Sequence, residues 1–76
     1  MEIIYSKQAI KAISKMDVSA KHRIKLAIEK LPKGDVKLLK GRLSTYRLRI
    51  GDQRVLFSYP DKNTMLIEKI GPRGQI

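Results

Sequence analysis

Arginine-mediated phosphate binding is the chemistry that this sequence most clearly offers. Arg47 and Arg49 alternate with apolar residues in the segment Tyr46–Ile50, which is the period of a strand with one buried face. Gly51-Asp52 predicts a two-residue hairpin turn, and this turn brings Arg54 directly opposite Arg49 on the returning strand. Like charges that face each other across two strands are destabilising. We therefore interpret the shared arginine face as a binding surface for a polyanion, with a nucleic-acid backbone as the obvious candidate.

The overall charge supports the same interpretation. The chain has 76 residues, 17 of them Lys or Arg against 7 Asp or Glu, and a formal net charge of +10, which predicts rapid, non-specific binding to polyanions. A solubilising surface would account for the lysines of the predicted helices. The arginines differ, because their planar groups suit bidentate phosphate contacts and five of the six lie in the second half of the chain: Arg42, Arg47, Arg49, Arg54 and Arg73.

The elements that must position these arginines begin with a short β-rich run, Glu2–Tyr5, followed by two predicted helices. Ser6 can cap the first helix and Asp17 or Ser19 the second. The apolar stripe of the first helix is Ala9, Ile10, Ile13 and Met16. The stripe of the second helix is Ile24, Ala27, Ile28 and Leu31.

The rest of the chain predicts a basic loop and then three strands. The loop spans Lys33–Ser44, a turn is expected at Pro60–Asn63, and the last strand covers Thr64–Ile70. The order is β-α-α-β-β-β in a single domain, which predicts a two-layer α+β fold with a helical hairpin on one face of a small, mainly antiparallel sheet. On the helix-covered face of the sheet we expect the apolar stripe of the second helix to pack on Leu48, Ile50, Val55 and Phe57. Leu56 is expected on the open face, together with the arginines.

Several kinds of chemistry find no support in the sequence. The sequence has no cysteine, and its carboxylates are scattered singly. The single histidine, His22, lies among basic residues of a predicted helix and is expected to be a solvated surface residue. We therefore expect no metal and no cofactor. Any nuclease here would have to cleave RNA by attack of the neighbouring 2′-hydroxyl, with cations stabilising the added charge. No segment predicts a membrane span or a signal peptide, and we expect a cytoplasmic protein.

The core of the second half resembles the RelE/ParE superfamily of bacterial and archaeal toxins. The resemblance covers essentially the whole chain and rests on the element order, on the segment Tyr46–Phe57 and on the closing Ile70–Arg73, which are more similar to the RelE branch than to the ParE branch. It implies the toxin of a type II toxin–antitoxin system that enters the ribosomal A site and cuts mRNA there without a metal. It also implies a small acidic antitoxin as the cognate partner, beside the ribosome and mRNA.

The resemblance also implies the site residues. Arg47 and Arg49 take the places of the paired basic residues of the family, Arg54 that of the arginine on the next strand, and Arg73 that of the arginine near the scissile phosphate. These four are the expected catalytic set, and the RNA-binding set adds Lys40 and Arg42. Arginine effectively cannot deprotonate, so the four are expected to be electrostatic stabilisers and the general base stays unassigned.

Alternatives remain open at this point. Relatives usually carry a tyrosine shortly after the position of Arg73, whereas this sequence stops at Ile76. Whether the chain is trimmed or naturally lacks the tyrosine is undecided. A form without the tyrosine is expected to have attenuated cleavage activity. Such a form could bind RNA or antitoxin without cleaving. A gyrase-inhibiting, ParE-like toxin is a further alternative, although aligned phosphate ligands weigh against it. A small basic domain with a solvated sheet face is the least specific interpretation.

Overall fold

The computed structural model describes residues 2–31, 33–39 and 44–72. Within these ranges the chain forms two helices and one five-stranded sheet. In chain order the elements are β1 (Glu2–Tyr5), α1 (Lys7–Ser14), α2 (Val18–Glu29), β2 (Asp35–Leu38), β3 (Thr45–Ile50), β4 (Gln53–Asp61) and β5 (Thr64–Pro72). The predicted fold class, a helical hairpin on a small, mainly antiparallel sheet, is confirmed.

The sheet has the strand order β1-β5-β4-β3-β2. Strands β2 to β5 form an antiparallel meander, and β1 pairs in parallel with β5, with Ile3 opposite Met65. The first strand of the chain thus lies beside the last of the described strands. Central strands β3, β4 and β5 carry most of the buried apolar residues, because both of their edges are paired and one face is covered by the helices.

Side chains from both helices and the three central strands form one hydrophobic core. Ile24 and Ile28 of α2 are 1% exposed, and Phe57 of β4 is equally buried. The core members are Ala9, Ile24, Ile28, Leu48, Val55, Phe57, Met65, Ile67 and Ile70, with Ala27, Leu31 and Ile50 packed against them. The predicted contact between the second helix stripe and the inner face of the hairpin is therefore confirmed.

Both helices begin at side-chain caps that the sequence predicted. The Ser6 hydroxyl accepts from the Ala9 amide at 3.0 Å, and the Asp17 carboxylate accepts from the Ala20 amide at 2.7 Å, each satisfying an N–H that the first turn leaves without a helical partner. The Ser6 hydroxyl also donates to the Glu68 carbonyl at 2.7 Å. One side chain therefore starts α1 and attaches it to β5.

The structure corrects the prediction of a loop over Lys33–Ser44. Asp35–Leu38 is a strand, β2, that pairs with β3, so the element order contains one more strand than expected. Val36 is the half-buried residue of β2, whereas Asp35, Lys37 and Leu38 are exposed. The four residues of β2, which follow Gly34 and include the first leucine of Leu38-Leu39, carry only a weak periodic signal, and pairing with β3 makes them a strand.

Smaller corrections concern a turn and one side chain. Strand β4 continues through Pro60 to Asp61, so the predicted turn is confined to residues 62–63. The Asp61 carboxylate accepts from the Asn63 amide at 2.8 Å and closes that turn. Ile10, expected in the inner stripe of α1, is 55% exposed, because Ala9 and Ile13 occupy the side of the helix that meets the core.

Candidate nucleic-acid interface

The β3–β4 hairpin positions the three arginines as the sequence predicted. Gly51 has φ +57°, the left-handed region that the first central residue of a tight hairpin turn requires. The register of the hairpin pairs Ile50 with Gln53, Arg49 with Arg54 and Leu48 with Val55. Since residues opposite each other share a face of the sheet, the side of the sheet that carries Arg47, Arg49 and Arg54 faces away from the helices. We call this side the arginine face.

Strand pairing extends the arginine face over four strands. One row across the sheet runs through Lys37, Arg47, Leu56 and Lys69, and the adjacent row runs through Asp35, Arg49, Arg54 and Gly71. Neighbouring strands lie about 4.8 Å apart, so each row spans roughly 14 Å. Lys37 and Lys69 belong to this surface although neither was predicted as a site residue. Lys37 could have been found only from the register of β2. Strict alternation in β5 would put Lys69 on the side of Met65 and Ile67, and only the shift in the β4–β5 register between Leu56 and Phe57 places it on the open face.

Arg47 is the most firmly held of the three arginines. Its side chain is 14% exposed, and its guanidinium lies 3.5 Å from the Asp35 carboxylate. Its Nε atom is buried and has no hydrogen-bond partner among the described residues. Leu56, directly opposite on β4, is 4% exposed although it lies outside the main core. An aliphatic stem beside a buried leucine fixes the guanidinium in position, as a preorganised charge requires.

Arg49 and Arg54 differ from Arg47 in exposure. Arg49 is exposed, and Arg54 is half-buried next to Gly71, which has no side chain. Guanidinium groups each offer five N–H donors in a planar fork that matches two phosphate oxygens. Three such groups on one face, two of them directly opposite each other, can hold consecutive phosphates of a nucleic-acid strand or the extra negative charge on one of them.

The remaining predicted site residues lie outside the described ranges. These residues are Lys40, Arg42 and Arg73, and their assignment stays a prediction. Within residues 2–31, 33–39 and 44–72, no three His, Asp or Glu side chains cluster as ligands of a metal ion. In the same ranges, no helix is long and apolar enough to cross a membrane.

Comparison with solved structures identifies the fold. The chain superimposes on the RelB–RelE antitoxin–toxin complex of Methanococcus jannaschii with a TM-score of 0.77 and 25% identity, over 92% of this chain and 89% of that chain. The intact RelBE complex of E. coli matches with a TM-score of 0.80 and 14% identity, over 97% and 98% of the two chains. The RelBE2 complex of Mycobacterium tuberculosis matches with a TM-score of 0.71 and 22% identity, over 95% and 96%.

These neighbours confirm the predicted resemblance. Each match spans nearly the whole of both chains, and each neighbour is a RelE-type toxin–antitoxin complex. No protein-family model and no curated protein matches this chain. The chain has a RelE-like fold.

Proposed function

We propose that this RelE-like chain is the toxin of a type II toxin–antitoxin system and acts as a metal-independent endoribonuclease on ribosome-bound mRNA in the cytoplasm. The observation that carries the proposal is the pairing of Arg49 with Arg54, with Arg47 on the same face. A fold normally avoids such opposed charges. A phosphate between them would turn this repulsion into a binding contribution.

The proposed chemistry is transfer of the phosphate to a neighbouring hydroxyl. The 2′-oxygen of a ribose attacks the adjacent phosphorus, the bond from phosphorus to the 5′-oxygen breaks, and a cyclic phosphate and a 5′-hydroxyl result. The 2′-hydroxyl gives up its proton to a base, and the leaving oxygen takes up a proton. In the transition state, negative charge increases on the phosphate oxygens, and fixed guanidinium groups stabilise this charge. Arg47, held by its burial, and Arg54 are assigned this role.

Support for an antitoxin partner comes from charge and from the neighbours. All three solved structures are toxin–antitoxin complexes. A chain with a net charge of +10 is best neutralised by a partner that presents carboxylates. We propose that the cognate antitoxin is a small acidic protein and that it suppresses the toxin by binding close to the arginine face.

The test is cleavage of mRNA by the purified chain with ribosomes, in the presence of EDTA. We expect cleavage, and we expect Arg54→Ala to lower its rate by about 10²–10³-fold, the usual cost of one group that stabilises transition-state charge. Lys11→Ala is the matched control, since Lys11 is an exposed cation of α1 away from the arginine face. Absence of cleavage with retained ribosome binding would leave only the binding role. Inhibition of DNA gyrase instead of mRNA cleavage would replace the proposal by the ParE-like alternative.

A further inference from the structure

One carboxylate lies among the cations of the arginine face. The two rows that cross this face consist of lysines, arginines, Leu56, Gly71 and a single acidic residue, Asp35. Guanidinium and ammonium groups only donate hydrogen bonds, whereas an ionised carboxylate only accepts them. Asp35 is therefore the member of these rows whose chemistry suits the removal of a proton from a hydroxyl.

Strand pairing places Asp35 beside the arginines. Asp35 on β2 lies directly opposite Arg49 on β3, so their Cβ atoms are about 5 Å apart. The Oδ1 atom of Asp35 accepts a hydrogen bond from a terminal guanidinium nitrogen of Arg47 at 3.5 Å. Arg54 follows Arg49 in the same row. The order across the face is thus Asp35, Arg49 and Arg54, with the carboxylate at one end.

The Asp35 carboxylate is accessible to a substrate. Its side chain is 60% exposed, and β2 is an edge strand of the sheet. Asp35, at the start of this strand, also borders a cavity of about 350 Å³ between α2 and β3. A ribose can therefore reach the carboxylate from solvent, while the contact with Arg47 holds its orientation.

We propose that Asp35 is the general base of the cleavage reaction, an inference that rests on the proposed function. The 2′-hydroxyl lies on the ribose carbon next to the one that carries the scissile phosphate. A phosphate bound by Arg49 and Arg54 thus brings this hydroxyl close to a group beside Arg49. An Asp35 oxygen takes the hydroxyl proton as the 2′-oxygen bonds to phosphorus, the bond from phosphorus to the 5′-oxygen breaks, and the leaving oxygen takes a proton from water. The Asp35 carboxyl then returns its proton to solvent.

A purely structural ion pair with Arg47 is the competing explanation, and two variants distinguish it from catalysis. Asparagine keeps an oxygen at the Oδ1 position, so Asp35→Asn can still accept a hydrogen bond from Arg47, but its amide does not serve as a base. Asp35→Ala removes both properties. If Asp35 only positions Arg47, Asp35→Asn should cleave nearly like the unmodified chain. If Asp35 is the base, both variants should lose activity to the same extent.

The test measures kcat and KM for cleavage of ribosome-bound mRNA. We expect Asp35→Asn and Asp35→Ala each to lower kcat by about 10²-fold or more, the range for loss of a general base. KM should stay unchanged or fall, because a negative charge leaves a cationic face. Formate should raise the rate of Asp35→Ala and not that of Arg54→Ala, since a small carboxylate can replace the missing base. Asp52→Asn is the matched control, with the same charge change at an exposed residue of the hairpin turn, and its kcat and KM should be unchanged.

The outcomes separate this inference from the proposed function. Near-normal cleavage by Asp35→Asn would overturn the assignment of the base and leave the proposed function standing. An equal loss of kcat in Asp52→Asn, or a rise in KM without a fall in kcat in Asp35→Asn, would overturn that assignment as well. Absence of cleavage by the unmodified chain would refute the proposed function and the assignment of the base together.

Discussion

Replacement of Arg54 by glutamine should stabilise the fold while it removes function. Arg54 lies directly opposite Arg49, and Arg47 is on the same face. The domain folds against this repulsion, because the hairpin register holds Arg49 opposite Arg54, and the salt bridge from Asp35 goes to Arg47. Glutamine keeps the first part of the side chain, so the half-buried stem loses little packing while the charge is removed.

The size of the effect follows from the spacing of the two strands. Side chains that face each other across antiparallel strands have Cβ atoms about 5 Å apart. Two charges about 6 Å apart in a water-like dielectric repel by ~0.7 kcal/mol, and physiological salt, with a screening length of about 8 Å, reduces this. We expect a gain of ~0.5 kcal/mol in the free energy of unfolding. For a domain of this size that raises Tm by roughly 2–4 °C.

Thermal unfolding at low and high salt measures the effect, with Arg54→Lys as the control that keeps the charge. The gain should appear in Arg54→Gln and not in Arg54→Lys, it should shrink as salt rises, and it should disappear when Arg49 is already glutamine. Loss of stability in Arg54→Gln that is independent of salt would refute the argument. It would mean that packing of Arg54, and not its charge, dominates at this position.

Three further predictions concern the fold. Phe57→Ala should lower the free energy of unfolding by about 3–5 kcal/mol, because the ring is 1% exposed. An unchanged midpoint of urea unfolding would contradict the assignment of Phe57 to the core. Gly34→Ala should lower the free energy of unfolding by about 1–3 kcal/mol, since Gly34 has φ +120° and a Cβ would lie 3.1 Å from Leu48 Cδ1. An unchanged Tm would contradict the predicted strain. Burial raises the pKa of Tyr5, and the Glu29 carboxylate adds to the increase. The folded state therefore favours the neutral phenol. The free energy of unfolding should then fall as the pH rises past about 10. Tyr5→Phe should flatten that decline in urea midpoints between about pH 9 and pH 11, and an equal slope in both proteins would exclude Tyr5 as its cause.

The hairpin that carries the arginines could be predicted from sequence because every local signal agreed. Alternation in Tyr46–Ile50, a two-residue turn at Gly51-Asp52 and the apolar positions of the return strand all require the same register, and a slip by one residue would bury Arg49. The structure has that register. Helix caps at Ser6 and Asp17 were predictable for the same reason, since a single side chain determines each of them.

What could not be predicted depends on contacts between distant segments. Strand β2 is four residues long, and its short alternation becomes a strand only through pairing with β3. The exposure of Arg47 is another case, because alternation places the side chain on the open face but does not reveal that it is only 14% exposed there. The cavity between α2 and β3 depends on the same missed strand, since Asp35 at the start of β2 lines it.

The pairing of β1 with β5 has a consequence for how the protein is made. Strand β5 follows the other four strands in the chain, yet it lies between β1 and β4 in the sheet. A growing chain can form α1, α2 and the β3–β4 hairpin early, but β1 has no strand to pair with until β5 has left the ribosome. Contacts between segments this far apart in sequence form slowly. Completion of the sheet, and of the row that joins Arg47 to Lys69, is therefore delayed until synthesis of β5, and a chain released before that point carries the arginine hairpin without the strand that supports it.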